Sequence, residues 1–121
     1  MNEDIADLPD SVDQIETVTA ETFDSVVLNS YGPIAVEFMS YGCAYCQGIE
    51  PVLQQVAEMI KSKEEIVRVN VEVEPGLANS YGIKSTPTLV MFMDGLQVGR
   101  AEGPNPTISS VLTAVTQPFN S

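Results

Sequence analysis

The chain has 121 residues, 44% of them hydrophobic, enough for the core of one domain. Its net charge is -12, with five Lys and Arg in total, so nucleic acid is not an expected partner, because neutralising phosphates takes basic residues. The absence of histidine excludes Ser-His-Asp and Cys-His nucleophilic sites and His-ligated zinc.

Residues 1 to 13 read as an acidic, flexible N-terminal arm carrying Glu3, Asp4, Asp7, Asp10 and Asp13. A signal peptide would instead open basic and then turn apolar. No apolar run approaches the roughly 20 residues of a membrane helix. The cytoplasm is therefore the expected compartment, without membrane contact. The acidity itself reads first as solubility and self-repulsion.

Ile15 to Val18 is a short strand candidate. Thr19 is then expected to cap a helix with Glu21 in its first turn, burying Phe23, Val26 and Val27 and ending near Asn29 to Gly32. Pro33 opens a second strand, Ile34 to Met39. It is nearly unbroken in its apolar character, which suggests burial on both faces, with Glu37 as the exception.

Cys43-Ala44-Tyr45-Cys46 follows that strand and uses both cysteines of the chain. Ile49, Val52, Leu53, Val56 and Ile60 then recur at helical spacing, so a long helix is expected from about Cys43 to Lys61 or Lys63, bent at Pro51. One thiol would sit at a helix N-terminus and the second one turn later, a geometry that suits reversible thiol–disulfide exchange. Two thiolates would supply only half of a tetrahedral zinc site, so no metal or other cofactor is expected.

Ile66 to Val71 reads as a third strand, on which Arg68 reads as a solvated charge, with a place near Glu37 as the alternative. Pro75-Gly76 breaks the chain, and a short helix is expected over Leu77 to Tyr81. Thr88 to Met93 and Leu96 to Ala101 flank Asp94-Gly95, a strong hairpin signal. Asn105-Pro106 is expected to cap the last helix, in which Ile108, Val111, Leu112 and Val115 recur. The resulting order β-α-β-α-β-α-β-β-α implies one α/β domain over residues 14–121, with a mixed sheet of about five strands flanked by about four helices.

With these residues in place, the chain resembles the thioredoxin family over about residues 14 to 117. The anchors are Val36-Glu37-Phe38, Cys43-x-x-Cys46, Pro51, Tyr81-Gly82-Ile83, Ser85-Thr86-Pro87-Thr88, Asp94-Gly95 and Gly103. The resemblance implies the thioredoxin fold and a dithiol that exchanges with disulfides in partner proteins. It also implies an electron donor such as a reductase, and a monomer. The chain departs from the common Trp-Cys-Gly-Pro-Cys of that family in reading Gly42-Cys43-Ala44-Tyr45-Cys46, and it has no tryptophan. Glu37 stands where many members carry a buried Asp, and Gln47 where a basic residue is usual.

By this resemblance Cys43 is the exposed attacker and Cys46 resolves the mixed disulfide. Orphan N–H groups at the helix start would favour the Cys43 thiolate. Burial should raise the pKa of Glu37, and the family makes it the proton acceptor for Cys46; contact with solvent or with a Lys or Arg is its alternative. The resemblance further implies a cis Thr86-Pro87 bond beside the disulfide, whose backbone pairs with an extended substrate segment. Gly42 and Gly103 would let a partner approach, or simply permit turns. Tyr45 reads equally as a surface aromatic or as part of the substrate face. The readings in competition with a reductase are a weakly active or redox-inactive binding module and a disulfide oxidase or isomerase.

Overall fold

A computed structural model of the chain describes residues 12–120. Its elements are β1 (Glu16–Thr17), α1 (Asp24–Leu28), β2 (Pro33–Met39), α2 (Ala44–Ile60), β3 (Glu65–Asn70), α3 (Pro75–Ser80), β4 (Thr88–Met93), β5 (Leu96–Glu102) and α4 (Ile108–Thr116). A 3₁₀ turn, Gln117–Phe119, follows α4. The sheet order is β1-β3-β2-β4-β5. The β1–β3 and β2–β3 pairs are parallel, while β2–β4 and β4–β5 are antiparallel. The expected order and mixed sheet are thus found, in the arrangement of the thioredoxin fold.

Strand alternation divides the core into two layers. Ile34, Val36, Phe38, Val67, Val69, Val90 and Phe92 point to one face with Phe23 and Val27 of the α1 region. Ala35, Ile66, Leu89 and Met91 point to the other, where Ile49, Leu53 and Val56 of α2 and Val111 and Val115 of α4 cover them. Each of these large apolar side chains contributes about 1.5–3 kcal/mol by leaving water. β2 is buried on both faces from Ile34 to Met39, as its apolar run suggested.

Three local expectations are corrected. Thr19 does not cap α1 with its side chain; its backbone N–H instead donates to Thr22 Oγ1 at 3.0 Å. The segment that follows is π-wound, with Asn29 N–H donating to the Asp24 carbonyl at 2.8 Å. Phe23 and Val27 are buried as expected, whereas Val26 is half-buried. At α4 the cap is Thr107, not Asn105: its backbone is extended and its hydroxyl accepts the Ser110 N–H at 3.1 Å, so Pro106 lies before the cap. α2 runs on past Pro51, and among the described residues no helix is long and apolar enough to cross a membrane.

Asp94 and Gly95 turn the β4–β5 hairpin with φ of 53° and 83°, the pair of positive angles that its sequence calls for. This turn packs beside Gly32 and the start of β2, since Gly32 N–H donates to Asp94 Oδ1 at 2.8 Å. The two cysteines follow the other end of β2. The hairpin tip and the thiols therefore sit at opposite ends of the sheet.

Candidate active site

Cys43 is the N-cap of α2. Its carbonyl accepts the Gln47 N–H at 3.1 Å, and its Sγ accepts the Cys46 N–H at 3.1 Å. A sulfur so placed receives one of the orphan donors of the helix start, and a thiolate there gains from the dipole as well. The first turn of α2 contains no acidic residue to oppose that charge. Cys43 and Cys46 are joined as a disulfide with a Cα–Cα distance of 5.2 Å. Cys43 is half-exposed, while Cys46 is 2% exposed.

The Thr86-Pro87 bond is cis, and the Thr86 carbonyl oxygen lies 3.5 Å from Cys43 Sγ. Pro87 is buried, and its carbonyl accepts the Gly103 N–H at 2.9 Å. Gly103 has φ of 55°, which a glycine adopts without strain. Tyr45 reaches the same loop: its hydroxyl donates to the carbonyls of Pro104 at 2.8 Å and Gly103 at 3.2 Å. Gln47 Nε2 donates to the Tyr41 carbonyl at 2.6 Å, holding the turn before the cysteines.

Two grooves flank the disulfide. One, of about 590 Å³, opens beside Cys43 and is lined by Gly42, Val71, Glu72, Lys84 and Thr86 among others. The second, of about 440 Å³, reaches Cys46 and is lined by Tyr41, Gln47, Glu50, Pro51, Arg68 and Asp13 among others. The structure thus gathers Gly42, Tyr45, Thr86, Pro87 and Gly103 around the cysteines.

Glu37 lies on the α2 side of the sheet, because it alternates with Ala35 on β2. It is 0% exposed, and among the described residues neither carboxyl oxygen has a hydrogen-bond partner. Burial pushes its pKa up to about 8; the nearby Glu50 charge adds to that push and Arg68 opposes it. A carboxyl of this kind stays mostly protonated at neutral pH.

The expectation for Arg68 is corrected. It is not a solvated charge but 5% exposed. Its Nη1 donates to Asp13 Oδ2 at 2.9 Å and to the Ile15 carbonyl at 3.1 Å, and its Nη2 donates to Glu50 Oε2 at 2.5 Å. Gln54 extends the cluster, with Nε2 donating to Asp13 Oδ1 at 2.8 Å and to Glu50 Oε2 at 2.7 Å. The bond to Arg68 holds the Asp13 carboxyl at about 2. Asp13, the last residue of the expected acidic arm, is thereby tied to the domain; residues 1–11 of that arm lie outside the described residues. Sequence reasoning missed Asp13, Glu50 and Gln54. A signal existed for Glu50, which stands four residues after Cys46 and so on the same helical face. None existed for Asp13.

Comparison with known proteins agrees with this geometry. The thioredoxin family model matches residues 14–114. Thioredoxin 1 of Synechococcus elongatus is 36% identical over 97 residues, which are 78% of this chain and 91% of that protein. Thioredoxin 1 of Nostoc sp. is 37% identical over the same shares of the two chains. Thioredoxin Y1, chloroplastic, of Arabidopsis thaliana is 35% identical over 70% of this chain, a match that spans 49% of the relative. With its cysteine pair at the start of α2, its cis-proline loop and these relatives, the chain belongs to the thioredoxin family and is a thiol–disulfide oxidoreductase of that type.

Proposed function

We propose that the chain works as a reductase of disulfides in partner proteins. In the reduced state the Cys43 thiolate attacks one sulfur of a substrate disulfide, forming a Cys43–substrate disulfide and releasing the other substrate sulfur as a thiolate. Cys46, once deprotonated, attacks Cys43 Sγ. The intramolecular disulfide forms, the second substrate thiolate leaves, and two electrons have moved to the substrate. A dithiol or flavin-linked reductase then returns the pair to the thiol state.

The observation that carries this reading is the contrast between the two sulfurs. Cys43 is half-exposed and accepts a backbone N–H at the helix start, while Cys46 is buried one turn on. The groove beside Cys43 and the backbone at Thr86 suit an extended substrate segment lying across the thiol. Glu37 serves as proton acceptor for Cys46: a carboxyl at about 8 is close to an ordinary thiol at about 8.5, so the proton passes in either direction at little cost. We place this work in a reducing compartment, the cytoplasm, where cysteine pairs are kept as thiols.

Equilibration of the Cys43–Cys46 couple against a dithiol redox buffer tests the direction of electron flow. A strongly reducing potential is expected, and a clearly oxidising one would overturn the reductase reading in favour of an oxidase or isomerase. Cys43→Ser should abolish turnover of a disulfide protein substrate, and Cys46→Ser should leave a trapped mixed disulfide. For Glu37, the test is the pH profile of the resolving step in Glu37→Gln: slower resolution with a lost alkaline rise is expected, and an unchanged profile would remove its role.

A further inference from the structure

Glu37 and Arg68 are register partners across the β2–β3 pair and project to the same face of the sheet. They do not pair. Arg68 commits Nη1 to Asp13 and Ile15 and Nη2 to Glu50 and Asp13, while among the described residues its Nε–H and both buried Glu37 oxygens find no partner. An opposite charge this close would ordinarily be drawn into an ion pair. We propose that Asp13 and Glu50 are positioning residues for the exchange reaction, holding the Arg68 guanidinium off Glu37 so that the Glu37 carboxyl stays free of an ion pair. This rests on the reading of Glu37 as proton acceptor for Cys46.

The groups facing Glu37 can be named element by element. β3 presents Arg68, and β4 presents the apolar Leu89 opposite Glu37. α2 presents Glu50, whose charge acts on Glu37, while Asp13, in the segment before β1, faces Arg68. Two negative charges therefore surround one positive charge, and the cation offsets only part of the cost of ionising Glu37. Were Arg68 turned onto Glu37, the carboxylate would be stabilised by about 1–3 pH units and would lie far from a thiol in proton affinity. It would then be a poor acceptor for Cys46. The groove that exposes Glu50 and Asp13 also reaches Cys46, so the cluster stands at the solvent side of the thiol that must lose its proton.

The test reads the Glu37 carboxyl directly, by carbon-detected NMR titration of the full reduced chain. Glu50→Gln removes a negative charge and leaves Arg68 less neutralised; both effects lower the Glu37 midpoint, by about one pH unit for a charge within several ångströms. Asp13→Asn should shift it the same way by less, since Asp13 is more exposed. Glu50→Asp keeps the charge and should keep the midpoint high. Arg68→Met should raise it, whereas a merely loosened, hydrated site would lower it. Midpoints unchanged in both Glu50→Gln and Asp13→Asn, or lowered in Arg68→Met, would overturn the proposal. A midpoint that moves as expected while the resolving step keeps its wild-type pH profile would support the positioning network and count against Glu37 as proton acceptor.

Discussion

The Tyr45 hydroxyl donates to the Pro104 carbonyl at 2.8 Å, joining the first turn of α2 to the loop after β5. The neighbouring Gly103 accepts from the same hydroxyl and donates its N–H to Pro87, so helix start and cis-proline segment share one support. Tyr45→Phe keeps the ring and removes both bonds. Because the residue is 42% exposed, water replaces part of what is lost, and the cost should be about 0.5–1 kcal/mol. Amide exchange should quicken at Gly103 before it does in β4. Unchanged protection there would mean that the hydroxyl does not hold the loop.

A second expectation concerns the far end of the sheet. A Cβ at Gly95 would collide with the Leu28 carbonyl, and φ there is 83°. Gly95→Ala should therefore destabilise by about 2–4 kcal/mol, from left-handed backbone strain and overpacking together. Denaturant unfolding measures that loss. The hairpin tip lies at the end of the sheet opposite the cysteines, so disulfide exchange per folded molecule should be unaffected. A variant with wild-type stability would show that the turn can shift away from Leu28 at no cost.

Thr107→Ala tests the corrected cap of α4. Removing the hydroxyl frees the Ser110 N–H, with an expected loss of about 0.5–2 kcal/mol. Asn105→Ala should cost less, because Asn105 does not cap the helix. The reverse ranking in paired thermal melts would return the cap to Asn105.

The contrast between Thr107 and Asn105 shows where sequence reading reached its limit. Asn105-Pro106-Thr107 offers two capping side chains two residues apart, and which one caps depends on how the chain enters from β5. β4, β5 and their turn were legible because the apolar run of β4 and the Asp-Gly chemistry agree locally. The cysteine pair at the start of α2 was legible for the same reason. Arg68 was not. Its burial follows from sharing a sheet face with Glu37, and that depends on a register between strands about 30 positions apart. Asp13 closes the cluster from 55 residues away, a contact that no local pattern encodes.

The buried acids dictate how stability should vary with pH. Glu37 is at about 8 in the folded chain against 4.5 as an ordinary side chain, and burial likewise pushes Glu64 up to about 8. Each acid binds its proton more tightly when folded. Their stabilising share is full below about 4.5 and is lost as pH rises through 8, at up to about 1.4 kcal/mol per pH unit for the fully buried Glu37. Asp13 has the opposite sign: its value of about 2 lies below 3.8, so its contribution is present above 3.8 and fades as pH falls toward 2. Stability should therefore peak in mildly acidic solution, near pH 4–5, with growing negative charge adding to the decline above it. Urea unfolding from pH 3 to 9 measures the curve. Glu37→Gln should flatten the limb between pH 5 and 8 and leave the acid limb unchanged, whereas Asp13→Asn should flatten chiefly the acid limb and, through its smaller effect on the Glu37 midpoint, shorten the other slightly. A wild-type curve level between pH 5 and 8 would mean that Glu37 ionises inside the folded chain at little cost. Its burial would then not set its proton affinity.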